Sequence, residues 1–226
     1  MRRYLAFCLI CLSACGRPPA PSEAAFADML FGDTLDLASV RFVEGAPVAA
    51  VTFQRQKRPR LACRERILPE PKEEIVTAKP AAVALFSRIF FTRDWYTDNY
   101  ARDFPDQINL TAAMLYAHEM VHVWQWQNRD ITGYSPLRAA REHGGGADPY
   151  LFDVESKADF LSFGYEQQGA IMEEYICCRA LDPRAERTKR LHAMLSDVMP
   201  VTDLPTRREW DVWLPWDGAE LDGICT

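Results

Sequence analysis

His118-Glu119-Met120-Val121-His122 is the stretch on which the reading of this chain turns. In a helix, positions i and i+4 stand one above the other, so His118 and His122 can each aim an imidazole nitrogen at one cation. Glu119 lies about 100° round the helix from His118, beside such a cation rather than on it. From there its carboxylate can take a proton from a water molecule. The chain holds four histidines in 226 residues, at 118, 122, 143 and 192, and two of them fall at this spacing. The competing reading is a pair of core histidines on a buried helix, and the surroundings decide between the two.

From Asn109 or Thr111 to about Arg129 the sequence is apolar almost all round as far as Trp124, the pattern of a helix buried on most sides. Its polar residues at 118, 119 and 122 therefore need partners, because an unpaired buried polar group costs several kcal/mol. A metal ion would supply one. Catalytic zinc takes three protein ligands and keeps a position open for water. The metzincin extension is excluded, since it needs a glycine and a histidine where Gln125 and Asn128 stand. A downstream glutamate is the other common third ligand, and two are available. Glu155 opens Glu-Ser-Lys-Ala-Asp, resembling the Glu-x-x-x-Asp of thermolysin-like enzymes, in which Asp159 would orient a histidine from behind. Glu166 opens Glu-Gln-Gln-Gly-Ala, where Gly169 and Ala170 permit close helix approach. The residues alone leave Glu166 and Glu155 as alternatives.

Outside this helix the expected elements are short. Phe26 to Phe31 is a helical or turn segment, and Val40–Val43 with Val48–Phe53 reads as a hairpin around Glu44-Gly45-Ala46-Pro47. Residues 54–73 are charged and broken by prolines, with at most a strand near Ile67. Residues 81–92 turn near Ser87-Arg88 into a strand from Ile89. Past the central helix, Gly133, Pro136 and Gly144-Gly145-Gly146 mark a loop, and Tyr150 to Val154 reads as a strand. A second long helix is expected from Asp159 or Phe160 to Leu181, and a third from Arg184 to Met199. The tail to Thr226, with Trp210, Trp213 and Trp216, reads as irregular chain packed over the domain. His143 is a candidate fourth contact or oxyanion donor, although a histidine beside three glycines is more often solvated. Tyr150 and Tyr165 are candidate carbonyl polarisers, Trp124 and Trp126 read as core, and His192 as surface.

The N-terminus carries an address. Met1-Arg2-Arg3, an apolar run to Leu12, and Leu12-Ser13-Ala14-Cys15 read as a secretory signal, too short to span as an anchor. The Leu-Ser-Ala-Cys box resembles the bacterial lipoprotein signal, which implies lipid on Cys15 and a place in the cell envelope, on the periplasmic side of the outer membrane. The organisation expected is a signal peptide at 1–14, a Pro-rich tether at 15–25, a catalytic domain at 26–182, and a helix with an aromatic tail at 183–226. Cys63, Cys177, Cys178 and Cys225 suit an oxidising compartment. One of the adjacent pair would bond Cys63 and the other Cys225. A net charge of −6 and a pI near 5.3 argue against a nucleic-acid partner.

His-Glu-Met-Val-His-Val-Trp-Gln (118–125) resembles the HE(L/M)xHVxQ signature of metallopeptidase-like domains associated with contractile injection systems and Vgr-related proteins. Residues 29–42 (MLFGDTLDLASVRF) and 165–171 (YEQQGAI) are similar to two further patches of those domains, so the likeness spans about 26 to 178. The lipoprotein signal and the tail after 182 depart from that pattern. The resemblance implies a zincin-like α+β fold: a small mixed or antiparallel sheet on a buried HExxH helix, then a second helix carrying the third ligand. It favours Glu166 as that ligand, in a gluzincin-type His/His/Glu site with Zn2+. The expected function is that of an exported zinc metallohydrolase, a peptidase with Glu119 as general base, acting on a peptide or protein and held to the membrane through Cys15. The alternative is a non-catalytic zincin-fold binding or scaffold module of an envelope assembly.

Overall fold

The computed structural model describes residues 16–48, 51–144, 146–202, 204–205 and 211–226. The expected signal at 1–14, Cys15 and Trp210 lie outside them. The chain is mixed α+β. In order it forms α1 (Pro21–Phe31), β1 (Arg41–Glu44), β2 (Phe53–Gln56), α2 (Cys63–Arg66), β3 (Ile75–Ala78), β4 (Ala82–Leu85), β5 (Arg88–Phe91) and β6 (Gln107–Asn109). Then come α3 (Leu110–Gln127), α4 (Arg129–Thr132), α5 (Pro136–Glu142), α6 (Tyr165–Leu181), α7 (Glu186–Ser196) and β7 (Asp211–Trp213). Among the described residues no helix is long and apolar enough to cross a membrane.

Residues 16–25 are not a free tether. Arg17 exchanges backbone hydrogen bonds with Phe42 (2.9 and 2.8 Å), and its guanidinium donates to both oxygens of Glu23 at 2.7 and 2.8 Å. Glu23 is fully buried and also accepts from the backbone N–H of Ala20 and Tyr100. A buried carboxylate must be paired, and Arg17 is its counter-charge. Pro21 occupies the first helical turn, where its missing N–H costs nothing.

The expected hairpin from Val40 to Phe53 does not form. β1 pairs in parallel with β5 (Phe42↔Ile89), and β5 pairs antiparallel with β4, giving a three-stranded mixed sheet in the order β1-β5-β4. The reason lies in burial. Phe42, Ile89 and Phe91 are all fully buried, and the N–H groups of Gly45 and Ala46 both donate to Phe91 O, carrying the chain along β5 instead of back on itself. β2 instead pairs antiparallel with β3, from Phe53↔Ala78 at one end to Gln56↔Ile75 at the other. The β4–β5 turn sits at Phe86-Ser87, with Phe86 at φ 58° and its ring 4.6 Å from that of Trp126.

Other departures are local. Ile67 is buried behind the helical turn α2 rather than in a strand, and 150–154 is irregular. α5 stands where a loop is expected, started by Pro136 and by the Ser135 hydroxyl accepting from Arg138 N. α6 begins at Tyr165, because Phe160–Ser162 makes only a single 3-10 turn and Gly164 caps the helix, with Gln167 accepting from its N–H. The tail is not wholly irregular, since β7 pairs in parallel with β6.

α3 starts under the side-chain cap of Asn109 and is buried along nearly its whole length. β4 and β5 pack on it, and so does α6, its most extensive partner. Trp124 is fully buried and Trp126 half-buried. Two disulfides leave adjacent residues of α6: Cys177 bonds Cys63 on α2, and Cys178 bonds Cys225 in the tail.

Candidate metal centre

The α3–α6 interface holds a cluster of charge inside an otherwise apolar core. Nε2 of His118 and Nε2 of His122 lie 3.1 and 3.3 Å from one oxygen of Glu166, and His143 Nε2 lies 3.0 Å from the other. His118, His122 and Glu166 are 4–7% exposed, and one ligand atom from each falls within 4.8 Å of the others. α3 supplies the two histidines by its i, i+4 spacing and α6 supplies the carboxylate from its first turn. His143, which the sequence left as a weak candidate, follows α5 and forms the more exposed edge of the cluster.

Close approach of the two helices rests on Gly169. A Cβ there would lie 2.6–2.7 Å from three ring atoms of His118, so only hydrogen fits. Behind the ring, His118 Nδ1 lies 3.0 Å from Glu173 Oε1, an ion-pair distance without good hydrogen-bond alignment, and Arg64 bonds the other oxygen of Glu173. Glu166, Gly169 and Glu173 stand at i, i+3 and i+7, on one face of α6. His122 Nδ1 meets Gln125 Oε1 at 2.9 Å, and Gln125 in turn donates to Gln168 and to Tyr165 O. Glu142, at the end of α5, accepts from the N–H groups of Tyr165 and Glu166.

Glu155 is elsewhere. Its side chain is 62% exposed and pairs with Arg187 and Arg190 at 3.1 and 3.2 Å. Asp159 is exposed, and the position behind His118 belongs to Glu173. The Tyr165 hydroxyl is occupied by Gly133 O at 2.9 Å, while the Tyr150 ring stands 5.7 Å from that of His118 and 6.0 Å from that of His143. Glu173 and Glu142 escape the sequence reading, and Gln125 enters it only as a motif residue, without its role on His122. The i+7 spacing from Glu166 was the available signal for Glu173.

Electrostatics follow from this packing. Burial alone would strip His118 of charge, but Glu173 and Glu166 reverse that and push its pKa up to about 10. Burial opposes charge on Glu173 too, yet Arg64 and His118 hold it down to about 2. Burial also opposes ionisation of Glu166, and the three imidazoles keep it well below the carboxylate range. Glu119 differs. Burial pushes its pKa up, and its Oε2 is buried with no hydrogen-bond partner among the described residues. Two imidazole nitrogens and a carboxylate oxygen, buried together beside a partnerless carboxylate oxygen, fit a divalent metal of the zinc type. An open cleft of about 640 Å³ beside Trp95 and Trp213 shares no residue with this cluster. Donor chemistry, not cavity size, picks out the candidate site.

No known family model matches this sequence, and no curated protein matches it. Among solved structures the chain is similar to the effector domain of Pseudomonas aeruginosa VgrG2b, at a TM-score of 0.48 and 20% identity, over 81% of this chain and 84% of that one.

Proposed function

We propose that the chain is an exported zinc-dependent hydrolase of zincin type, cleaving peptide bonds, and anchored in the cell envelope through lipid on Cys15. The observation that carries this reading is the convergence of His118, His122 and Glu166 beside the partnerless oxygen of Glu119. A zinc ion held by those three residues supplies Lewis acidity, acidifying water and polarising a carbonyl oxygen. Glu119 accepts the proton of the attacking water and passes it to the leaving nitrogen. Its Oε2, buried without a hydrogen-bond partner among the described residues, is free to take and give that proton. His143 and Tyr150, at the more exposed edge, are placed to meet the substrate. Glu142 and Gln125 keep the ligands in place, one at the first turn of α6 and the other on His122 Nδ1.

The test is metal analysis of the purified chain together with digestion of a peptide library. Wild type is expected to carry one zinc per chain and to cleave. Glu119→Gln is expected to keep zinc and to lose roughly 10²–10⁴ in rate. A chain without stoichiometric zinc would defeat the metal centre. Zinc without Glu119-dependent cleavage would favour a binding or scaffold module.

A further inference from the structure

Two adjacent glutamates of α6 receive two adjacent residues of α2. Glu174 accepts from the backbone N–H of Cys63 at 2.7 Å, and Glu173 is bonded by the guanidinium of Arg64. The same turn is bonded covalently to α6 through Cys63–Cys177. Arg187 closes the arrangement, donating to Glu174 at 3.0 Å and to Leu61 O at 2.9 Å. α2 is only four residues long and lies between stretches of irregular chain. A turn that short has no stability of its own, so these bonds set where Arg64 stands.

Glu173 has a second partner, the Nδ1 edge of His118, while Glu166 meets Nε2 of the same ring. A carboxylate behind a ligating histidine fixes its orientation and tautomer. That carboxylate must itself be fixed, because Glu173 has rotamers to choose from and its outer oxygen would otherwise be buried without a partner. Arg64 supplies the partner. The route from the crosslink to the ring is therefore continuous: Cys177–Cys63, Arg64, Glu173, His118.

We propose that Arg64 is a positioning residue of the metal centre, acting through Glu173 on His118, and that the Cys63–Cys177 disulfide serves this centre by holding Arg64 in place. This rests on His118, His122 and Glu166 being the metal ligands. The second disulfide gives the comparison: Cys178–Cys225 leaves the next residue of the same helix and holds the tail, which meets α2 through Arg66 donating to Gly223 O and Ile224 O rather than through Arg64. Both crosslinks contribute to stability, and only one lies on the route to His118.

The experiment measures zinc affinity by competition with a chromogenic chelator, and the absorption spectrum of the cobalt-substituted protein, on the oxidised full chain. Arg64→Gln, Glu173→Gln and the double variant Cys63→Ser/Cys177→Ser are each expected to weaken zinc binding by roughly 10–100-fold and to shift the cobalt bands. Arg64→Lys, which keeps the charge, is expected to recover most of that loss. Cys178→Ser/Cys225→Ser is expected to lower the melting temperature and leave both readouts unchanged. If wild type takes up zinc and the Arg64 and Glu173 variants bind it equally well, the route is wrong while the centre stands. Equal losses in both disulfide variants, or in Arg64→Gln and Arg64→Lys, would mark general loosening and overturn it too. If wild type takes up no metal, both readings fall. Should Arg64→Gln not fold, the two disulfide variants decide: a loss of zinc affinity confined to Cys63→Ser/Cys177→Ser supports the route, and equal affinity in both overturns it.

Discussion

Gly169 faces His118 so closely that the first carbon of any side chain would lie 2.6 Å from the imidazole. The distance between α3 and α6 beside the His118/His122/Glu166 cluster is thus set by a hydrogen atom. Gly169→Ala would gain roughly 1 kcal/mol of helix propensity. It would also force a clash into packed surroundings, at a cost of roughly 1–3 kcal/mol. The expected net result is a less stable protein with a displaced His118 and weaker zinc binding. Thermal melts and chelator competition check it; a more stable variant with unchanged affinity would show that the helices can part freely.

Glu166 and Glu155 separate cleanly by substitution. Glu166→Gln removes a buried carboxylate bonded to three imidazoles and is expected to abolish stoichiometric zinc. Glu155→Gln removes an exposed partner of Arg187 and Arg190, worth about 0–1 kcal/mol. Zinc content after dialysis distinguishes them. Zinc lost from the Glu155 variant and retained in the other would reverse the assignment.

Glu142 closes the open N–H groups at the start of α6, with one oxygen on Tyr165 and the other on Glu166. Glu142→Ala is expected to cost about 0.5–2 kcal/mol, the usual range for a lost cap. Its particular signature is faster hydrogen exchange at the amides of 165 and 166. Exchange at those two amides that stays as slow as in wild type would refute the capping role.

Asp148 ties the segment before Tyr150 to Arg58, through bonds of 2.6 and 2.9 Å. Burial works against its charge, but Arg58 prevails and holds its pKa below the ordinary 3.8. A folded-state pKa lowered in this way contributes stability that is complete above 3.8 and is lost as pH falls through the lower, folded value. Asp148→Asn is therefore expected to be less stable than wild type by about 1.5–3 kcal/mol at neutral pH. The gap should narrow once the pH drops below 3.8. Denaturant titrations at neutral pH and in the acid range measure it; a gap that widens on acidification would contradict the ion pair.

What the sequence makes legible here is local. The i, i+4 histidines, the Asn109 cap and the apolar run of α3 can all be read within a single element, and the structure follows them closely. The choice between Glu166 and Glu155 stays open in the sequence because it depends on which segment docks on α3. The pairing of Phe42 with Ile89 is invisible for the same reason, whereas the Val48–Phe53 alternative looks nearer and is wrong. The Pro-rich start misleads because Arg17 and Glu23, polar residues that suggest a solvated tether, satisfy each other inside. α5 was within reach, since Ser135-Pro136 is an ordinary helix start.

α6 carries its charges inward: Glu166 meets the histidines, Glu173 meets His118 and Arg64, and Glu174 meets Cys63 and Arg187. An apolar helix sliding along α3 by one turn, about 5.4 Å, would trade one greasy contact for another. This helix has no such freedom, because a slip would strand three carboxylates in the interior without their partners. The carboxylate that would grip a cation and its two neighbours along α6 thus act as teeth, admitting one docking register and rejecting the others.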